Sequence, residues 1–329
     1  MPDITNSDQD VNFTNLDFKQ AYCNDFDNSP VLDISCKYYS PDQFLDNVNE
    51  TIGYSYFNLN CCGLCAHWEQ FYELISNTSD NHFAFDFIGL TEVFRTNNDQ
   101  RLTLPTYQKL ITKSRPVSPR GGVGLFVRNG IKFTIRDDLS VFIPHVIETL
   151  FVEFKTNSKN NCVVGIIYRP NSAPLADIDR FSQELYNIID KINSENKTSV
   201  IMGDMNLDLL KFKSHDKTNS FIENMFAAGY VPTITKPTRV TPSSATLIDH
   251  IYTNNLSNAS SGIILTDIAD HFGTFYYTHI TNNRTCNEVT KMARNFSDRN
   301  IDNFIHKLSE TDFNEVFNHN STYQAYDIF

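Results

Sequence analysis

The chain has 329 residues, is 40% hydrophobic and carries 26 Phe and 15 Tyr, enough for one large α/β domain with extensions and too short for three domains. Its formal net charge of −12 argues against tight non-specific binding to a polyanion. The chain has no apolar run of 18 or more residues and opens with the polar, acidic stretch Met1-Pro2-Asp3-Ile4-Thr5. Neither a secretory signal nor a membrane span is expected, and the expected location is nuclear or cytoplasmic.

Residues 1–50 are rich in Asp, Asn and Ser and hold ten acidic residues against two lysines. They read as an acidic, mostly irregular leader. Residues 51–280 hold 22 acidic against 20 basic residues, and residues 281–329 seven against five. The negative balance thus belongs mainly to the leader, and a polyanionic substrate remains compatible with the middle segment.

From Tyr54 strands and helices alternate. Apolar and β-branched runs place strands near 54–60, 86–91, 123–127, 132–136, 150–154 and 162–168, and later near 199–203, 248–252, 262–266 and 273–279. Helices are expected at 67–77, 177–193 and 218–228. In the second, Ile178, Phe181, Leu185, Ile188, Ile189 and Ile192 fall on one face, a core stripe, with Asp177 or Asp179 as cap. Seven cysteines without framework spacing read as free thiols in a reducing compartment. Cys61, Cys62 and Cys65 cluster, but no second Cys/His pair with zinc-finger spacing answers them. Beyond about residue 281 the chain is polar, with amphipathic runs at 300–308 and near 312–318.

Several of the predicted strands end in polar clusters. Ser199-Val200-Ile201-Met202-Gly203-Asp204-Met205-Asn206 is a short apolar run ending in Gly-Asp-x-Asn. The glycine lets the chain turn sharply. Asp and Asn then sit at a strand's carboxyl end, where open α/β sheets bind ligands. Asp86 to Leu90 leads into Thr91-Glu92, Ala245 to Tyr252 carries Asp249-His250, and Asp270-His271 precedes the last apolar run. Phe57-Asn58-Leu59-Asn60 opens the pattern, and Val163 to Asn171 lies between. Singly, each is more readily a solvated loop residue or a cap; together, each at the end of an apolar run, they point to one site. Carboxylates and amides without a thiolate pair suit a hard cation, Mg²⁺ or Mn²⁺, over zinc.

In these motifs the chain resembles the endonuclease/exonuclease/phosphatase superfamily, and within it the apurinic-type endonuclease domain of non-LTR (LINE-type) retrotransposons. The resemblance spans roughly Tyr54 to Ile280. It is carried by Asn60-x-x-Gly63-Leu64, Leu90-Thr91-Glu92, Arg120-Gly121-Gly122-Val123-Gly124, Tyr168-Arg169-Pro170-Asn171, Gly203-Asp204-Met205-Asn206, Leu247-Ile248-Asp249-His250 and Asp270-His271. It implies a DNase I-like, four-layered α/β sandwich of two mixed β-sheets flanked by helices over 51–280. Residues 281–329 would then be a linker toward a reverse transcriptase that relatives carry in cis and this chain lacks.

The resemblance also implies roles. Glu92 is the principal metal ligand, assisted by Asn60, and Asp270 lies near a second metal position or the water. Asp204 orients or deprotonates the attacking water and Asn206 holds a phosphate oxygen. His271 faces the scissile phosphate, fixed by Asp249. Tyr168 contacts the phosphate or leaving group. Asn171 is expected on the substrate backbone, and Arg169, like His250, is either structural or a backbone contact. Cys62 departs from the pattern, standing where relatives often carry Asp, Asn or Arg. The expected activity is a Mg²⁺-dependent DNA endonuclease that nicks one strand, leaving a 3′-hydroxyl for target-primed reverse transcription. The alternatives are a phosphatase or phosphodiesterase of the same superfamily and a non-catalytic retrotransposon remnant. Against the phosphatase, Asn206 is followed by Leu207-Asp208-Leu209-Leu210, unlike the Asn-Tyr-Arg continuation usual in inositol phosphatases.

Overall fold

The computed structural model describes residues 36–48, 52–80, 83–94, 102–115, 120–156, 161–171, 176–255, 259–279 and 298–310. They fall into two units divided between residues 286 and 287, and each is described by itself. In chain order the first runs through β1 (Cys36–Tyr39), α1 (Pro41–Asn47), β2 (Ile52–Asn60), α2 (Trp68–Asp80), β3 (Phe87–Thr91), β4 (Ile111–Lys113), β5 (Val123–Val127) and β6 (Phe133–Ile135). Then come β7 (Phe142–Ile143), β8 (Ile147–Lys155), β9 (Asn161–Tyr168), α3 (Ala176–Ser194), β10 (Thr198–Asp204) and α4 (Asp216–Ala227). It closes with β11 (Val231–Pro232), β12 (Arg239–Thr241), β13 (Ser244–Thr246), β14 (Asp249–Thr253), β15 (Ala259–Ile264) and β16 (Gly273–His279). The second unit contains α5 (Asp298–Glu310), over the first of the two amphipathic runs expected there. The run near 312–318 lies outside the described residues. Among the described residues no helix is long and apolar enough to cross a membrane.

Two sheets carry the first unit. One has the order β1-β15-β16-β2-β3-β5-β4, the other β11-β14-β10-β9-β8-β6 with β7 on β8. Both are mixed: β1 runs parallel to β15, β2 to β3 and β9 to β10, while the remaining pairs are antiparallel. β12 and β13 form a separate hairpin.

Side chains alternate across each strand, and the alternation separates two cores. Phe57 and Leu59 of β2 and Ile88 and Leu90 of β3 turn outward against Phe44 of α1 and Phe71 and Ile75 of α2. Tyr56 and Phe87 turn inward, where the Phe87 ring meets Phe154 of β8 at 4.6 Å. Close approach of the sheets needs Gly89, where an added Cβ would stand 2.4 Å from Ile166 Cδ1 of the facing sheet. On the far side of the second sheet, Phe221 of α4 packs edge-on against Tyr252 of β14, and Phe181, Leu185 and Ile189 of α3 are buried. Each fully buried side chain of this size contributes about 1.5–3 kcal/mol. The layers are helix, sheet, sheet, helix: the sandwich that the resemblance implies.

The ten expected strands and three expected helices of this unit lie within a few residues of observed ones. Residues 36–47 differ. Expected in an irregular leader, they form β1 and α1. β1 pairs with β15. α1 starts at a capping box in which Ser40 Oγ accepts from Gln43 N–H and Gln43 Oε1 accepts from Ser40 N–H, with Pro41 in the first turn.

Candidate active site

At the end of β10 the backbone passes through Gly203 with φ +150°, and an added Cβ would lie 1.8 Å from the Ile167 carbonyl oxygen. Only glycine fits this passage. Asp204 follows, buried, and its β14 register partner is Asp249. Asn206 sits at φ +47°, a conformation that Asn tolerates better than most residues. Its N–H donates to Asp204 Oδ1 at 3.0 Å, and its Nδ2 donates to Asp204 Oδ2 at 3.1 Å and to the Arg169 carbonyl at 2.7 Å.

The facing sheet contributes through loops. Asn60 ends β2, and its Nδ2 donates to Asp204 Oδ2 at 2.8 Å and to Glu92 Oε1 at 3.1 Å. Its Oδ1 accepts the Cys62 N–H at 3.0 Å. Because that backbone group can only donate, it fixes which end of the amide points where. Glu92 follows β3 at φ +52°, and its Oε1 also accepts the Tyr168 hydroxyl at 3.0 Å. The three loops are laced together: Gly63 N–H donates to the Glu92 carbonyl, and Val93 and Phe94 N–H donate to the carbonyls of Gly122 and Gly121.

Asp249 Oδ2 accepts from Thr238 Oγ1 at 2.6 Å and from His271 Nδ1 at 2.8 Å, while Asp249 Oδ1 is buried without a partner among the described residues. Burial works against a charged His271. The Asp249 carboxylate, helped by Asp204 and Asp270, outweighs it and lifts the imidazole to about 9, so at neutral pH the ring is a cation. Burial and then the Asp249 charge raise Asp204 well above the ordinary carboxylate range. Burial first, then Glu92 and Asp204, push the Tyr168 phenol upward, so its hydroxyl stays protonated and donating.

The structure therefore brings two hydrogen-bonded groups together, Asn60, Glu92, Tyr168, Asp204 and Asn206 in one and Asp249 with His271 in the other, their ligand atoms at Asp204, Asp249 and His271 lying within 4.8 Å of one another. The hydrogen bonding bears on three of the expected roles. Asn60 Oδ1 accepts the Cys62 N–H and its Nδ2 donates to both Asp204 and Glu92, so the amide orients the two carboxylates. Asn206 has both amide hydrogens bonded to protein acceptors and fixes Asp204. Arg169 is buried, with Nη1 donating to the Asn206 carbonyl at 3.1 Å and the guanidinium over the Phe181 ring, so it braces the loop from below and does not meet substrate. Asp270 lies beside His271, its carboxylate 3.8 Å from Nε2, and Arg239 grips it at 2.5 Å. Asn171 is exposed past β9. His250 is buried and neutral, lowered by desolvation, with Nε2 against the Leu247 carbonyl.

The donor chemistry fits a hard divalent cation. Glu92 Oε2 takes no hydrogen bond among the described residues, and every carboxylate of the cluster is an oxygen donor. Asp204, Asp249 and His271 bring ligand atoms within 4.8 Å of one another. The imidazolium state of His271 makes that trio a charge pair, and Glu92 the better cation ligand. Sequence reasoning missed Thr238 and Arg239, and also Arg115 and Glu148 beside Tyr168.

The family model described as Endonuclease/Exonuclease/phosphatase family matches residues 56–298. No curated protein matches. Among solved structures, the fold is similar to the AP endonuclease LMAP from Leishmania major, with a TM-score of 0.56 and 11% identity over 72% of this chain and 90% of that one. It is also similar to the Xenopus laevis APE2 catalytic domain (TM-score 0.52, 17% identity, 70% and 94% of the two chains). A third is the human Nocturnin catalytic domain with bound sulfate (TM-score 0.51, 13% identity, 70% and 94%).

Proposed function

This chain belongs to the endonuclease/exonuclease/phosphatase family, and on that premise we propose that it is a Mg²⁺-dependent DNA endonuclease that nicks one strand and leaves a 3′-hydroxyl, the product from which target-primed reverse transcription starts. One observation carries the reading. A buried carboxylate, Asp204, lies between an imidazolium clamped by Asp249 and the Asn60–Glu92–Tyr168 chain of hydrogen bonds.

Each group has a task in phosphodiester hydrolysis. Asp204, raised by burial and by Asp249, orients the attacking water and takes its proton, a base matched to neutral pH. His271 sets a positive charge against the phosphoryl oxygens, and Asp249 holds the ring through Nδ1, leaving Nε2 on the Asp270 side. Tyr168 keeps a neutral hydroxyl beside Glu92. Asn60 and Asn206 hold Asp204 in place. Glu92 would hold a divalent cation, which would supply charge neutralisation at the phosphate when bound. The DNA substrate and the retrotransposon-type nick rest on the resemblance of Arg120-Gly121-Gly122 and of the Ser244 to His250 segment to the endonuclease domain of non-LTR retrotransposons.

The test is nicking of supercoiled plasmid with Mg²⁺, beside His271→Ala and Asp204→Ala. The wild type is expected to give a relaxed circle that a polymerase extends from the nick, with loss of about 10²–10⁴-fold in either variant and complete loss with chelator. Nicking that survives both substitutions overturns the reading. Phosphate release from inositol polyphosphates without nicking replaces it with the phosphatase.

A further inference from the structure

A buried ion pair flanks the cluster and takes no part in the steps above. Arg115 Nε donates to Glu148 Oε1 at 2.5 Å, and Glu148 Oε2 accepts the Gly122 N–H at 2.7 Å. Glu148 is the register partner of Tyr168 across β8 and β9, and the Arg115 guanidinium lies 5.9 Å from the Tyr168 ring centroid. Room for it is built in: at Gly121, φ +82°, a Cβ would stand 2.5 Å from Arg115 Nε and 2.7 Å from Nη2. Glu148 is thus fully used by fixed donors, while Arg115 spends only Nε. Among the described residues no acceptor meets Nη1 or Nη2, and the Arg115 side chain keeps 17% exposure.

From this the geometry points to Arg115 as a substrate-binding residue, its Nη edge receiving a non-bridging oxygen of a backbone phosphate on the Tyr168 side of the site, with Glu148 as the positioning residue that aims it. A guanidinium suits the task because its planar fork matches phosphate and stays charged. Glu148 holds the fork at one edge and leaves the other open. The inference rests on the phosphodiester reading and adds to it a second cationic contact on the side opposite His271.

The experiment measures kcat, KM and the salt dependence of KM for plasmid or duplex nicking in wild type, Arg115→Gln, Arg115→Lys and Glu148→Gln. Loss of a charge-assisted phosphate contact is expected to raise KM about 10- to 100-fold in Arg115→Gln, with kcat much less affected. The slope of log KM against log salt should fall by about one unit. Arg115→Lys keeps the charge, so it should retain the slope with a smaller rise in KM. Glu148→Gln should raise KM through a misaimed guanidinium and leave the slope unchanged. Lowered thermal stability with KM and slope unchanged in Arg115→Gln would make the pair a brace and overturn the inference while leaving the endonuclease reading intact. A wild type that nicks no DNA overturns both.

Discussion

On the β10–β14 side of the site, Asp204 and Asp249 stand opposite each other as register partners of two hydrogen-bonded strands. On the β2–β3 side, Asn60 closes β2, while Cys62, Gly63, Glu92 and Phe94 lie where the chain has left its strands, all four at positive φ. The strand side places two buried charges by pairing alone, with His271 added as counter-charge. The loop side places its groups through left-handed turns and the backbone bonds that lace 60–64 to 92–94 and 121–122. Buried charge is placed by strand register, and Glu92 by a network of loop backbone bonds.

The largest test of this contrast replaces one glycine on each side. Gly203→Ala drives a Cβ to 1.8 Å from a β9 carbonyl and is expected to cost more than about 4 kcal/mol or to prevent folding. Gly63→Ala meets only the Phe94 ring, at 2.8 Å, a side chain able to turn, so the cost should stay near the about 1–2 kcal/mol of a left-handed residue. Equal losses in thermal unfolding would break the comparison.

Next comes Asp249→Asn. Removing the charge that lifts His271 to about 9 should lower kcat by about 10²-fold or more and draw the alkaline limb of the pH–rate profile to lower pH. The same shift governs stability. A histidine raised from 6.5 to about 9 binds its proton more tightly when folded, so its stabilisation is complete below pH 6.5 and disappears as pH rises through about 9. Asp204, also raised, acts in the same direction at lower pH, because the folded form keeps a proton that the unfolded form gives up. Metal-free protein should therefore melt at falling temperatures from pH 6.5 to 9, and His271→Gln should flatten that limb.

On the loop side, Asn60→Ala leaves both carboxylates without their shared donor. It should raise the Mg²⁺ concentration needed for half-maximal activity by about 10-fold, within the range for removing an orienting partner. Cys62→Ser should do least. The exposed thiol is no part of the cluster, and only the backbone N–H of Cys62 serves Asn60, so activity should stay within about twofold.

What the sequence made legible follows the same division. Gly203-Asp204-x-Asn206 is readable because a buried apolar run that breaks at glycine and continues into a carboxylate seldom serves packing alone. The α3 stripe from Ile178 to Ile192 is readable because helical period and burial coincide. Arg115, Glu148, Thr238 and Arg239 escaped because none belongs to a local pattern. Glu148 meets Arg115 only once β8 pairs with β9 and the Gly121–Gly122 turn folds over it, and no spacing along the chain encodes that. Asn206 departs from its expected role for a related reason. Residue type shows what a side chain can donate, while the fold decides whether those donors are already spent. β1 was hidden because four residues, Cys36-Lys37-Tyr38-Tyr39, carry little periodicity and gain their order from a partner strand more than two hundred residues away.

That distant pairing bears on how the protein can be cut. β1 is the outermost strand of its sheet and covers the hydrogen-bonding rim of β15. A fragment trimmed to begin at residue 51 would uncover that rim, a template on which other chains can add. Trimming upstream of Cys36 would leave the rim sealed, so the place of the cut within the leader separates a dispersed preparation from one that clumps.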